Sequence, residues 1–358
     1  MEVVDVAIVG GGPAGSTCAA FCAAAGLRTL VLEREKFPRE KVCGDCINPA
    51  CWPVLKRLEL EEEIRQCPHP SFDAVEFIAI GGQKLRVDLP QGERAEIAIK
   101  RSLFDHLLLK RARTLGAEIC EEATLIALDR TAAKNWRIDI VRETFAARVV
   151  VGADGRNSTV ARLRNLLPRP ERERVALQAH IPLPRDFGNR IVLQFLPEGY
   201  SGQAPVNDRE LNLCLVGAPP TISSLRAWAE QEFKLPADQT WRTITPLTRA
   251  PVSVAHENLF FIGDAARVVE PFTGEGIYYA VRSGELAANA IVKILRGEQS
   301  ALRQFVRAHR AMYRGRLWVN RLARSAVLSP KTASRFLQVA RFSPTIMRLL
   351  TTKIVRPN

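Results

Sequence analysis

Three apolar runs, each broken by glycine, punctuate the chain: Val6-Ala7-Ile8-Val9 before Gly10, Val149-Val150-Val151 before Gly152, and Leu259-Phe260-Phe261-Ile262 before Gly263. Short unbroken apolar runs bounded by turn residues predict strands buried on both faces, as in a parallel sheet. After the first run, small residues from about Ala14 to Ala25 predict a helix ending at Gly26, and Arg28 to Leu32 predicts the next strand. The polar stretch Arg34 to Pro49 reads as a loop, and Val54, Leu55, Leu58 and Leu60 as one helix. Phe72 to Val87 alternates and turns at Gly81-Gly82, which predicts a hairpin. Arg101 to Leu115 carries a helical stripe ending at Gly116, with Ser102 as its N-cap and Asp105 nearly completing a capping box. A strand around Ile119 and a meander lead to Val151. Val175 to Val216 alternates between proline and glycine breaks, predicting a mostly antiparallel sheet. A short helix, Leu225 to Phe233, and a long one, Ile277 to Leu295, follow.

The chain is therefore of the α/β class, with a parallel sheet of Rossmann type, a second and mainly antiparallel sheet, and a helical C-terminal tail. Residues 1–70, 98–170 and 246–297 form the first, discontinuous unit. Residues 71–97 and 171–245 form the second, and 298–358 a basic tail.

Composition sharpens this picture in three ways. At 358 residues and 47% hydrophobic, the chain can bury a sizeable core, and no stretch approaches the ~20 apolar residues of a membrane span. Met1-Glu2-Val3-Val4-Asp5 offers no basic segment before the first apolar run, so a cytoplasmic protein is expected, with its eight cysteines as thiols. The net charge of +13 has no aromatic interleaving of the kind nucleic-acid readers use, and no nucleic-acid partner is expected. Much of the excess follows Arg296, where Arg303, Arg307, Arg310, Arg314, Arg316, Arg321, Arg324, Lys331, Arg335, Arg341 and Arg348 punctuate apolar residues. Such a tail suits peripheral contact with anionic lipid, an acidic carrier protein or substrate, or simply the solvated faces of surface helices.

The chemistry concentrates where strands break. In Gly10-Gly11-Gly12-Pro13-Ala14-Gly15, Gly10 permits the tight turn, Gly12 lets backbone approach a pyrophosphate, and Gly15 lets the helix pack on the strand. Glu33, at the carboxyl end of the second strand, can accept both ribose hydroxyls of an adenosine. Asp154-Gly155 and Gly263-Asp264 follow the other two apolar runs. Parallel strands deliver all three loops to one sheet edge, where one long ligand can touch each.

This set resembles the FAD-dependent aromatic hydroxylase superfamily, and within it most closely the geranylgeranyl reductase family. The resemblance implies a Rossmann-like FAD-binding domain, an antiparallel substrate domain, FAD as cofactor and NAD(P)H as transient reductant. It places Gly10, Gly12, Pro13, Ala14 and Gly15 on the FAD pyrophosphate, Glu33 and its neighbour Arg34 at the adenosine ribose, and Arg101 along the cofactor. It assigns Asp154 and Gly155 to the pyrophosphate region, Gly263 and Asp264 to the ribityl chain, and Pro271, Gly274, Gly276 and Ile277 to the flavin ring. A helix beginning near Gly276 would aim its positive end at the ring and stabilise the anionic reduced form. Asp264 could instead be a plain helix N-cap.

Cys43-Gly44, after the basic Arg39 and Lys41, matches a Cys-Gly pair that the family places beside the flavin, making Cys43 a candidate catalytic thiol. It reads equally well as a small apolar group. Cys43 and Cys46 also form a CxxC, and with Cys51 they lack a fourth ligand, so no metal is expected. Gly199-Tyr200-Ser201-Gly202-Gln203-Ala204-Pro205 puts Gly202 where prenyl reductases carry tryptophan, and leaves Tyr200 as a cavity or core residue. The five histidines form no triad, and no general base is assigned. The expected reaction is reduction of an unsaturated, hydrophobic or isoprenoid-type substrate. The alternatives are NAD(P)H-dependent hydroxylation of an aromatic or carrier-bound substrate, halogenation, and a non-redox flavin-assisted cyclisation.

Overall fold

The computed structural model describes residues 2–92, 95–170, 174–271 and 274–316, together with Ser325, Ser329, Lys331, Thr332 and Ser334. The tail residues Arg321, Arg324, Arg335, Arg341 and Arg348 lie outside the described residues.

The three apolar runs become strands Val3–Val9, Thr144–Gly152 and Leu259–Phe261, parallel neighbours in one sheet. Thr29–Leu32 and Glu118–Cys120 extend it in parallel on the other side. The register explains the convergence of their loops. Val9 pairs with both Gly152 and Leu32, and Gly152 with Phe261, so the chain leaves each strand at the same level. The meander of Leu125–Arg130 and Trp136–Ile140 adds antiparallel to Thr144–Gly152.

Helix Pro13–Ala24 is sandwiched between this sheet and the long helix Gly276–Leu295, which is why both are rich in small residues. A β-carbon on Gly15 would lie 1.9 Å from the Gly10 carbonyl oxygen, and one on Gly284 would lie 2.4 Å from that of Ala14. The close packing therefore leaves no room for a side chain at either point.

The second sheet runs Arg242–Ile244, Val175–Pro182, Glu210–Gly217, Gly199–Pro205, Arg190–Leu196, Ala74–Ile78 and Lys84–Asp88. It is antiparallel except where Arg190–Leu196 meets Ala74–Ile78 in parallel. Helix Ile222–Glu232 buries Leu225 and Ala229 against it.

Local expectations change at three places. The helix foreseen through Val54 to Leu60 is two, Trp52–Arg57 and Glu61–Arg65, separated where Glu59 takes a left-handed φ of 56°. Lys100, not Ser102, occupies the N-cap of helix Arg101–Thr114, and no side chain caps it. Asp105 is drawn inward instead, onto arginines. The loop after Arg34 also hides a short strand, Cys46–Ile47, paired antiparallel with Ile97–Ala98.

In the tail, helix Ala301–Met312 buries Phe305 and His309 while Arg303, Arg307 and Arg310 face solvent. His309 is 4% exposed between the rings of Phe305 and Tyr313, and its Nε2 lacks a partner. Burial, helped by the charge of Arg267, pushes its pKa down to about 4. The unfolded chain then binds the proton first, so stability is lost as the pH falls from about 6.5 towards 4, by up to about 3 kcal/mol. His309→Phe should flatten that loss in thermal melts between pH 7 and 4; an unchanged acid limb would show that His309 is not its source.

Candidate active site

At the shared carboxyl edge the glycine loop is shaped by its own backbone. Gly10 has φ +106°, and a β-carbon there would stand 2.5 Å from the Ala153 carbonyl oxygen. Gly11 donates its N–H to Glu33 Oε2 at 2.7 Å, and Glu35 donates to Oε1 at 2.9 Å. Glu33 thus orders the glycine loop with Oε2 and its own following turn with Oε1, while lining the cavity beside Arg34. A β-carbon on Gly12 would meet only an Arg39 nitrogen at 3.4 Å, so the first turn of the helix faces open space.

Around that space stand Arg39, Lys41, Arg101 and Arg156. Arg101 grips Asp105 with two hydrogen bonds, at 2.7 and 2.8 Å, and Arg39 approaches the same carboxylate at 3.0 Å. Arg156 donates to Asp264 Oδ2 at 3.0 Å, while its Nε and Nη1 are buried without partners. Burial, reinforced by Arg101, Arg156 and Arg39, pushes the Lys41 ammonium down to about 8. Asp154 accepts the Val160 N–H at 3.0 Å and so caps a short helix, and burial raises its pKa. Gly155 adopts φ +82°.

On the third loop, Gly263 has φ +56° and donates its N–H to Ser283 Oγ at 2.9 Å. Gly274 is also left-handed, at φ +67°, and nothing lies within 4 Å of a β-carbon on Gly276. Pro271, Gly274, Gly276 and Ile277 all line the cavity.

The same cavity, of about 1320 Å³, continues onto the second sheet, where Val75, Phe77, Ile191, Leu193, Phe195 and Leu247 make an apolar chamber. Tyr200 lines it while 3% exposed, and burial raises its phenol well above the usual range. A β-carbon on Gly202 would meet only Leu193, at 3.7 Å, so the place of the family's tryptophan opens into the chamber. Between groove and chamber sit Cys43, Cys46 and Cys214, all free thiols that burial pushes up, with Arg101 pulling Cys43 the other way. Asp45, at φ 60°, ties them to the second sheet by accepting from Asn212 at 2.7 Å and pairing with His180 Nε2 at 2.8 Å.

A dinucleotide fits these residues. The open backbone at Gly12 and Gly276, the unpartnered nitrogens of Arg156 and the cluster of Arg39, Lys41, Arg101 and Arg156 together ask for a long, doubly anionic, hydroxyl-bearing ligand. A family model described as an FAD binding domain matches residues 3–183, about half of the chain. The chain belongs to this FAD-binding domain family. Geranylgeranyl diphosphate reductase of Rhodobacter capsulatus is 30% identical over 323 residues, covering 85% of this chain and 79% of the relative. Conditioned medium factor receptor 1 of Dictyostelium discoideum is 27% identical over 327 residues, covering 82% of this chain; the chain spans 64% of that relative's length. The flavin-dependent brominase Bmp2 superposes with a TM-score of 0.79 at 20% identity, covering 99% of this chain and 95% of the brominase, and so shares its fold. Fold and family are those of the FAD-dependent oxidoreductases of the aromatic hydroxylase superfamily.

Every site residue read from the sequence lines this one cavity except Gly15, which serves the packing beneath. Sequence reasoning missed Arg156, Cys214, Asn212 and Glu96. For Glu96 a signal existed: it is a lone acid in the apolar run Ala95-Glu96-Ile97-Ala98-Ile99.

Proposed function

We propose that the protein is an FAD-dependent reductase that saturates a carbon–carbon double bond of a hydrophobic, isoprenoid-type substrate, with NAD(P)H as the transient electron donor. The observation that carries this reading is the continuity of the dinucleotide groove with the apolar chamber in one cavity. The likeness to a geranylgeranyl diphosphate reductase supports the same substrate class.

Bound FAD would supply two-electron transfer, which no side chain offers. The chain supplies the rest. The N-terminal turn of helix Pro13–Ala24, with Arg39, Lys41 and Arg156, holds the anionic pyrophosphate. Asp264, steadied by Arg156, accepts hydrogen bonds from ribityl hydroxyls. The N-terminus of helix Gly276–Leu295 places its free N–H groups where negative charge develops. Phe77, Leu193, Phe195 and their neighbours exclude water and bind a hydrocarbon chain, at roughly 25 cal/mol for each Å² of apolar surface buried. Cys43 is a neutral thiol at this junction rather than a ready thiolate, because burial outweighs the pull of Arg101.

The test is anaerobic. FAD-loaded protein, bleached with NADPH or NADH and mixed with geranylgeranyl diphosphate, should recover its yellow colour and release a product heavier by pairs of hydrogens. Flavin that recovers colour only when air is admitted, with the diphosphate returned unaltered, would overturn the reading.

A further inference from the structure

Glu96 immediately precedes the strand Ile97–Ala98 that pairs with Cys46–Ile47. It is 6% exposed, yet its side chain reaches the cavity, with Oε1 3.5 Å from the position of a β-carbon on Gly274. The carboxyl therefore stands beside the Gly274–Gly276 turn, on the lining of the cavity that runs on into the apolar chamber. Among the described residues, the titratable groups that face it are Glu275, Cys46 and Cys51. Glu275 is itself engaged by Arg316 and by the Tyr279 hydroxyl at 3.2 Å. Cys51 is buried and Cys46 partly so, and desolvation pushes both thiols up, keeping them neutral. Glu96 forms no salt bridge among the described residues. Burial first, and the Glu275 charge second, push its pKa up to about 8, so it carries its proton at neutral pH. A protonated carboxyl is a hydrogen-bond donor, and in an apolar chamber it is a poised acid.

We propose that Glu96 is the catalytic acid of this site, donating the proton that a substrate in the apolar chamber takes up alongside hydride. The proposal rests on the reductase reading. Saturating one double bond requires a hydride and a proton. The hydride originates in the dihydronicotinamide reductant and would reach one alkene carbon, with its electron pair, by way of bound FAD. The Glu96 O–H bond breaks as a C–H bond forms on the other carbon. The carboxylate left behind takes a proton from water, so the acid is restored each cycle and the only oxidised species is the nicotinamide.

Glu96→Gln keeps shape and neutrality, so FAD content and the rate of flavin bleaching by NADPH should match wild type. Two readouts then decide. By infrared titration without substrate, wild type should show a protonated-carboxyl band that fades with a midpoint near pH 8, and the variant should lack it. In single-turnover reduction of geranylgeranyl diphosphate, wild type should slow about tenfold per pH unit above that midpoint. The variant should be about 100-fold slower or more and flat with pH, the range expected for losing a general acid. Glu96→Asp, with its acid drawn back by one methylene, should recover part of the rate together with the alkaline limb. A variant as fast as wild type, a limb that survives in Glu96→Gln, or a band that persists in it would overturn the role of Glu96 while leaving the reductase reading standing. A wild type that shows the band and bleaches with NADPH yet reduces nothing would overturn the reductase reading and the proposal built on it.

Discussion

Protein carrying Gly12→Glu is expected to purify colourless and to remain so when FAD is added, whereas wild type is yellow. A β-carbon at Gly12 meets no backbone and only one Arg39 nitrogen, so the substitution costs the fold almost nothing. Gly12 is the residue before helix Pro13–Ala24, where an acidic side chain is tolerated or even stabilising. The added carboxylate instead occupies the space in front of the helix and claims Arg39. Placing it against a pyrophosphate costs several kcal/mol, which lowers the affinity for FAD by at least about 100-fold. The measurement is FAD titration by fluorescence, with circular dichroism confirming a native apoprotein. Gly15→Val, three residues on, should behave oppositely and yield no soluble protein, because its β-carbon would lie 1.9 Å from the Gly10 carbonyl oxygen. Should Gly12→Glu bind FAD normally, the groove is not where the pyrophosphate lies.

That contrast also shows what the sequence makes legible. Unbroken apolar runs ending in glycine are a local signal, and parallel strands of one sheet deliver the loops that follow them to the same carboxyl edge. The meeting of Gly12, Asp154 and Asp264 was therefore readable without a structure, and the aligned register of Val9, Gly152 and Phe261 carries it out. Residues whose role depends on what approaches from far along the chain were not readable. Glu96 faces Gly274, and Asp45 meets Asn212, each across more than a hundred residues. The strand Cys46–Ile47 was hidden in a polar loop because two residues are too few to show a period. Asp105 was misread for a related reason. A capping box and an i,i+4 ion pair differ by one residue in spacing, and the helix begins at Arg101, one residue before the expected cap.

Asp105 accordingly carries the second large effect. It is fully buried and accepts two hydrogen bonds from Arg101, whose guanidinium is nearly buried, while Arg39 stands 3.0 Å away. One carboxylate thus balances two cations at the wall of the cofactor groove, and it holds the Arg101 pKa above the ordinary range against desolvation. Asp105→Ala leaves two mostly buried cations without their carboxylate. Removing one partner of a buried pair typically costs about 3–5 kcal/mol, a large share of the 5–15 kcal/mol or so that holds a domain folded. The apoprotein's Tm should fall steeply. FAD should then restore more stability to the variant than to wild type, because its pyrophosphate offers Arg39 the anion that Asp105 no longer provides. Adding Arg39→Leu to Asp105→Ala should recover part of the apoprotein's Tm while weakening the rescue by FAD. If instead the single variant melts like wild type, the two arginines are better solvated than their burial indicates, and the groove does not store the positive charge that draws the cofactor in.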